Sequence, residues 1–276
     1  MIFQDFLNFD IWDAVESGLY YAIVGFYFLI FAFFLLMRFR TSKKLYWFYF
    51  SLLFLFLAVG RVFFIVYYFY APELEGTMSN LELVGLMMVL YRFATFFTWM
   101  GIACLMGVFG TLILPPIPEE ENSETGIKKF LRQKNVKLTL KICLIVIPII
   151  VGILALTLSD ALFMDPDLRD QYIPSFQLIT VFGYPAGRFV LNFIFLPLMM
   201  LVTPILFVYL ALKTFGVLRR SYALNAIGFF IYFSGRITQG LLETLGFPHV
   251  RAILPPLLIL LSLLIIVIAN NYEQLR

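Results

Sequence analysis

Residues 45–70 read LYWFYFSLLFLFLAVGRVFFIVYYFY, and this stretch decides the class of fold. Apart from Ser51, Gly60 and Arg61, every residue in it is aliphatic or aromatic. A bilayer core needs about 20 apolar residues per helix, so the stretch is typical of a transmembrane span. The whole chain agrees, because 62% of its residues are hydrophobic and 13% are charged. In soluble domains, about 45–50% of the residues are hydrophobic and about 25% are charged.

The same criterion, applied along the chain, predicts an all-α integral membrane protein with seven transmembrane helices. We expect residues 1–276 to form a single seven-helix domain. The predicted spans are 19–37, 45–70, 83–114, 138–158, 189–212, 222–244 and 252–269.

Lysine and arginine are concentrated in alternate loops. The loops after spans one, three and five, together with the C-terminal end and Lys141 at the start of span four, hold fourteen of the twenty basic residues. Because basic loops stay in the cytoplasm, this bias predicts an N-terminus outside and a C-terminus in the cytoplasm of a cell-membrane protein. We expect the basic loops to contact anionic membrane lipids or a cytoplasmic protein partner, and we see no nucleic-acid-binding pattern.

Two of the predicted spans share a sequence pattern. Residues 46–61 read YWFYFSLLFLFLAVGR and residues 222–236 read YALNAIGFFIYFSGR. Both follow a basic pair and both end in Gly-Arg, which suggests a duplication of three helices, although chance recurrence of Gly-Arg is the alternative. The halves would be 19–114 and 189–269, joined by span four in a parallel 3+1+3 arrangement.

This layout resembles that of the SWEET sugar transporters and, more distantly, the microbial rhodopsins, which are seven-helix proteins with an outside N-terminus. The resemblance covers the helical core. SWEET proteins carry prolines in the first two helices of each repeat, whereas spans one, two and six here contain none. Retinal proteins use a Schiff-base lysine in span seven, and 252–269 contains no lysine. We therefore expect no retinal bound by that chemistry, and no other cofactor.

Several arginines fall at membrane depth in this prediction. An ionised side chain there costs about 2.5–3.5 kcal/mol on insertion scales, so it faces the helix bundle or water. Guanidinium groups recognise carboxylate and phosphate, and an outward-facing cavity for an acidic small molecule or lipid headgroup is expected. The predicted ligand-binding residues are Arg61, Arg92, Arg236, Arg188, Arg251, Tyr91 and Glu243, with His249 at the same outer mouth.

Internal pairing is the alternative for these arginines. Arg236 is two helical turns from Glu243, Arg61 can meet Glu82, and backbone carbonyls can serve any of them. Further residues that can line a cavity at this depth are Tyr67, Tyr68, Trp99, Asn192, Tyr232 and Gln239.

Three functions fit these features. We expect a receptor-like or sensory protein that binds an acidic ligand in the outer half; a small-molecule transporter or facilitator and an accessory subunit of a membrane complex are the alternatives. We expect neither an enzyme nor a metal site, because the sequence holds a single histidine and no motif for nucleophilic or phosphate chemistry.

Overall fold

The computed structural model describes residues 10–113, 134–245 and 247–271, apart from the side chains of five residues near the ends of these ranges. Within these ranges the protein is almost wholly helical. Seven long helices occur in the order α1 Ile11–Ser42, α2 Leu45–Tyr70, α3 Asn80–Ile113, α4 Lys134–Thr157, α5 Ala186–Lys213, α6 Gly216–Thr244 and α7 Pro248–Asn271.

Six of the described helices, all except α6, have the length and apolar composition needed to cross a membrane, as in a multi-pass membrane protein. Helix α6 has 29 residues and is about 44 Å long at 1.5 Å per residue, but it contains more polar side chains. Whether it is the seventh span remains a prediction.

Helix α1 begins earlier than its hydropathy suggests. The Asp10 side chain accepts a hydrogen bond from the Asp13 backbone amide at 2.8 Å, and the Asp13 carboxylate accepts one from the Asp10 amide at 3.1 Å. This reciprocal capping box satisfies two amides that a helix start leaves without partners. The helix therefore includes residues 11–18, and Glu16 is carried into the bundle, where it is 5% exposed.

The helices pack mainly in chain order. Helix α2 lies between α1 and α3, α4 packs on α3, and α6 lies between α5 and α7. Contact between α1 and α7 joins the two groups. The end of the bundle with residues 71–79 and 158–185 is here called the loop end; the end with residues 38–44 and 213–220 is called the basic end.

Matching glycines allow close approach within the two groups. A Cβ atom on Gly60 of α2 would lie 3.1 Å from the carbonyl oxygen of Ala94 in α3. A Cβ atom on Gly235 of α6 would lie 3.2 Å from the carbonyl oxygen of Pro255 in α7. In both pairs the remaining close contacts come from the residues three and four positions later, Phe97 and Thr98 in α3, and Leu258 and Ile259 in α7.

Buried aromatic rings fill the basic-end half of the bundle. Their ring centres are 5.0–5.4 Å apart in successive pairs, a distance at which edge-to-face and stacked rings attract each other. The rings come from five helices and leave this half tightly packed. They belong to Phe34, Phe50, Phe54, Phe109, Phe207 and Phe229.

A buried polar network joins the helices next to these rings. Asn270 of α7 donates to the Asn225 side-chain oxygen at 2.9 Å, and Asn225 donates back at 3.4 Å. The Tyr46 hydroxyl also donates to Asn270, and Arg38 donates to the Asn270 backbone oxygen at 2.7 Å. Helices α1, α2, α6 and α7 are thus held together at the basic end.

The loop end carries ordered connections, most of them in the segment between α4 and α5. This segment contains two short helices, Asp160–Phe163 and Pro166–Tyr172, and a hairpin that pairs Thr180–Val181 with Tyr184–Pro185. The Tyr172 hydroxyl donates to Glu75 at 3.3 Å. Burial, together with this carboxylate, raises the pKa of Tyr172, so the phenol stays protonated and keeps donating.

Candidate functional site

A cavity of about 180 Å³ lies in the loop-end half, among α2, α3, α5 and α6. At about 30 Å³ per water molecule, it has room for roughly six waters or a small organic molecule. Its walls combine aromatic rings with polar side chains. The lining residues are Phe64, Tyr68, Tyr91, Thr95, Thr98, Trp99, Asn192, Leu196 and Arg236.

Three buried polar atoms in these walls have no hydrogen-bond partner within the described part of the chain. They are the Thr95 hydroxyl, the Trp99 indole nitrogen and the Asn192 side-chain oxygen. Trp99 is 1% exposed and Thr95 is 4% exposed, so bulk water does not reach them freely. Leaving such a group unsatisfied costs about 1–3 kcal/mol, and all three residues line the cavity.

Arg236 is the cation of the cavity. It is half-buried, and within the described ranges it makes neither a hydrogen bond nor an ion pair. A half-buried guanidinium without a protein partner favours an anion in the adjoining space. Arg236 is among the ligand-binding residues predicted from the sequence. The side chain of Glu243, its suggested internal partner, lies outside the described residues.

Tyr91 and Asn192 form a fixed pair on the opposite wall. The Asn192 amide nitrogen donates to the Tyr91 hydroxyl at 2.8 Å. This bond occupies the amide nitrogen and leaves the amide oxygen as a hydrogen-bond acceptor for the cavity. The Arg188 guanidinium lies 4.5 Å from the centre of the Tyr91 ring and also pairs with Asp165 in the loop segment.

Arg92, adjacent to Tyr91 in sequence, is directed elsewhere. Its guanidinium donates to the backbone oxygens of Ala155 at 3.2 Å and Leu156 at 2.9 Å, and also to Leu158. It further pairs with Asp160 at 2.7 Å. These carbonyls end α4, so Arg92 caps that helix and does not line the cavity.

Arg61 and Arg251 belong to a separate cluster near the start of α1. The guanidinium of Arg61, which is 5% exposed, lies 4.4 Å from the centre of the Tyr20 ring. The buried carboxylate of Glu16 interacts electrostatically with Arg251 and, more weakly, with Arg61. Close by, the ring of His249 stacks on Trp12 at 4.5 Å, next to an apolar groove rather than the cavity.

The predicted residues are therefore only partly brought together. Tyr91 and Arg236 line the cavity, as do Tyr68, Trp99 and Asn192 from the wider set. Arg188 contacts the Tyr91 ring but does not line the cavity, and Arg61, Arg92 and Arg251 lie elsewhere. Thr95 and Thr98 were not predicted from the sequence, although Tyr91, Thr95 and Thr98 have the spacing of one helix face.

The polar side chains that line the cavity are suited to binding a small molecule. The guanidinium and the indole N–H can only donate, whereas the tyrosine and threonine hydroxyls can both donate and accept. The Asn192 oxygen is an acceptor. In the described ranges, no three histidine, cysteine or acidic side chains gather where a metal ion could be held. The donor-rich cavity is complementary to a small anion that carries one donor of its own.

Comparison with models of protein families, with curated proteins and with solved structures finds no match for this chain.

Proposed function

We propose that this protein is a receptor-like multi-pass membrane protein that binds a small organic carboxylate in the cavity beside Arg236. One observation carries the proposal. Within the described ranges Arg236 has no hydrogen-bond or ion-pair partner, and it lines a cavity whose walls hold three buried polar atoms that also have no partner there. A carboxylate would accept from Arg236 and the Trp99 indole. A hydroxyl on the same ligand would donate to the Asn192 oxygen.

The proposed topology has seven spans, with the loop end outside and the basic end in the cytoplasm. Helix α6 is long enough to be the seventh span, and it packs between α5 and α7, two helices that meet the apolar criterion. The concentration of basic residues at one end supports the orientation. In this topology the cavity lies in the outer half, where a ligand arrives from outside the cell.

The proposed duplication relates α1–α3 to α5–α7. It is supported by the glycine of each Gly-Arg pair, because Gly60 and Gly235 make the same kind of backbone contact with the following helix. Arg92 and Arg251, in contrast, do not face equivalent surroundings. Gly60-Arg61 and Gly235-Arg236 are therefore the residues that support two related halves.

A transporter or facilitator is the second candidate. It is favoured by the contrast between the two ends of the bundle, since the cavity lies in one half while aromatic rings and the Asn225–Asn270 pair close the other. Such a protein would release its ligand on the other side by opening the basic end. A sensor would instead pass a change in helix packing to a cytoplasmic partner.

Ligand binding is tested with purified protein in lipid nanodiscs. Short carboxylates and hydroxycarboxylates are compared with the corresponding neutral amides and with amines, using thermal unfolding and calorimetric titration. We expect at least one carboxylate to bind tenfold or more tightly than its amide, and Arg236→Gln to lose that preference. Arg40→Gln, at an exposed arginine of the basic end, is the control.

Equal binding of acid and amide, or an unchanged preference in Arg236→Gln, would overturn the proposal. A flux assay then separates the two candidates. Protein-dependent accumulation of the bound carboxylate in liposomes would replace the receptor with the transporter.

A further inference from the structure

The hairpin at residues 179–185, between α4 and α5, exposes apolar side chains at the loop end. Phe182 at its tip is 88% exposed, and no other large apolar side chain in the described ranges is more exposed. The surrounding sequence, residues 173–187, contains no charged side chain. An exposed apolar patch of this kind marks a surface that contacts a protein or a membrane. The other exposed apolar residues of the hairpin are Ile179, Val181 and Tyr184.

The backbone at the tip is unusual for a phenylalanine. Phe182 and Gly183, the two residues between the strands, have positive φ angles of 53° and 83°. Positive φ at both central residues is the pattern of a type I′ turn, in which Asn-Gly and Asp-Gly are preferred. A larger side chain is disfavoured there, because its Cβ atom crowds the backbone. The turn alone therefore does not account for a phenylalanine at this position.

The hairpin is fixed to the helices beside it. The Ile179 amide donates to the Ala161 backbone oxygen at 2.8 Å, and the Ala186 amide donates to the Ile179 oxygen at 2.8 Å. The ring centre of Phe182 lies 5.9 Å from that of Phe189, in the first turn of α5. The tip is thus directed along α5 rather than away from the bundle.

The line of rings continues along the outside of α5. The Phe189 ring stacks on Phe193 with the ring centres 5.3 Å apart, and Phe193 is 68% exposed. Helix α5 has the length and apolar composition needed to cross a membrane, so an exposed phenylalanine two turns from its start would face lipid. Phe182, Phe189 and Phe193 therefore form one aromatic ridge, which joins the hairpin tip to the lipid-facing side of α5.

We propose that the hairpin inserts into the membrane, with Phe182 at the boundary between lipid headgroups and acyl chains. The partner is the lipid of the leaflet at the loop end, which is the outer leaflet in the proposed topology. Lipid suits this surface because the surface carries no charge and continues the lipid-facing side of α5. Aromatic side chains favour the boundary, and burial of the Phe182 ring offsets the cost of its backbone conformation. The spans expected from hydropathy, in contrast, leave the hairpin outside the bilayer.

Spin labelling in lipid nanodiscs measures the depth of the tip. Cys104→Ala and Cys143→Ala remove the two native thiols, and a nitroxide is then attached to Phe182→Cys in the full chain. Collision of the label with oxygen, which concentrates in lipid, is compared with collision with a water-soluble nickel chelate. Phe193→Cys is the lipid-facing reference. Thr77→Cys, at an exposed residue of another connection at the loop end, is the water-facing reference.

We expect the ratio of oxygen to nickel collisions for Phe182→Cys to match that for Phe193→Cys and to exceed that for Thr77→Cys several-fold. A ratio closer to that of Thr77→Cys would overturn the proposal. The tip would then lie in water, as a docking surface for another protein would.

A matched pair of substitutions tests the same point without a label. Phe182→Asn and Phe182→Asp both suit the turn and both remove the ring, so they differ mainly in charge. Because an ionised carboxylate is disfavoured in an apolar environment, the midpoint of thermal unfolding in nanodiscs should be several degrees lower for Phe182→Asp. Thr77→Asp and Thr77→Asn, at the water-facing position, should unfold at the same temperature.

Failure of Phe182→Asp to fold, when Phe182→Asn folds, would also support insertion. Equal midpoints for the two Phe182 variants would overturn it. Neither measurement involves Arg236 or the cavity, so the outcome is independent of ligand binding.

Discussion

The Arg188 guanidinium lies 4.5 Å from the centre of the Tyr91 ring and holds that ring between the cavity and the loop end. On the other side, the Tyr91 hydroxyl accepts the hydrogen bond of Asn192. A chain of contacts thus runs from Asp165 through Arg188 and Tyr91 to Asn192. Of these four residues, only Tyr91 and Asn192 line the cavity.

Replacing Tyr91 with phenylalanine should weaken ligand binding without unfolding the protein. The change removes the hydroxyl that fixes the Asn192 amide, and one hydrogen bond contributes about 0.5–1.5 kcal/mol, which is roughly three- to tenfold in affinity. Calorimetric titration measures the change. Tyr184→Phe, on the exposed hairpin, is the matched control and should bind as the wild type does. Equal affinities in both variants would contradict the role of this hydroxyl.

Arg188→Lys should weaken binding although Arg188 does not line the cavity. Lysine keeps the charge but loses the planar group that stacks on Tyr91 while pairing with Asp165. We expect a loss of affinity comparable to that of Tyr91→Phe, and little further loss when the two changes are combined. A double-mutant cycle checks this, and fully additive losses would show that the two residues act independently.

Arg92→Met should lower stability and leave the cavity unchanged. The guanidinium meets three carbonyl oxygens at the end of α4 and the carboxylate of Asp160. Hydrogen bonds to charged groups contribute about 1.5–3 kcal/mol, and a loss of that order is expected in the free energy of unfolding. Affinity per folded molecule should stay within about twofold. A tenfold loss of affinity would instead place Arg92 at the ligand.

Gly60→Ala and Gly235→Ala should each destabilise the bundle. The added methyl group would lie 3.1–3.2 Å from a carbonyl oxygen of the neighbouring helix, and such overpacking costs about 1–3 kcal/mol. Gly25→Ala is the control, because nothing lies within 4 Å of the corresponding Cβ position. Unfolding in mixed micelles gives the comparison. If Gly25→Ala is as damaging as the other two, the close approach does not explain their cost.

Asn225→Ala should also lower stability, because it leaves the buried Asn270 amide without its reciprocal partner. An unsatisfied buried group costs about 1–3 kcal/mol. Ser234→Ala is the control, since its hydroxyl bonds only within its own helix at Phe230. A cost no larger than that of the control would show that the amide pair does not hold α6 to α7.

The helices could be predicted from sequence because bilayer thickness and residue hydrophobicity act on each segment separately. All seven predicted spans overlap long helices. Arg236 was predicted to face the inside of the bundle or water from the cost of burying a charge alone. Side-chain direction is harder to predict, since neighbouring residues on a helix point about 100° apart. Tyr91 and Arg92 therefore face different partners, and only the position of α4 decides which one reaches the cavity.

Glu16 shows a different limit of sequence reasoning. Its sequence neighbours in residues 10–18 include acidic and other polar residues, so Glu16 lies before the apolar stretch. The span predicted from hydropathy therefore begins at residue 19. The signal that extends the helix is the capping box of Asp10 and Asp13, which sets a helix start but carries no information on burial. The burial of Glu16 depends on the packing of α1 in the bundle, which includes contact with α7, a helix more than 200 residues away in the chain.

The most direct test of the carboxylate site uses the fluorescence of Trp99, which lines the cavity and whose indole nitrogen has no hydrogen-bond partner among the described residues. The chain has three tryptophans, so Trp12→Phe with Trp47→Phe leaves Trp99 as the single reporter. Titrating the carboxylate that binds best should shift its emission with the dissociation constant found by calorimetry, and Arg236→Gln should abolish the shift. Calorimetric binding of that carboxylate with no change in Trp99 emission would contradict the account, because the ligand would then lie outside this cavity.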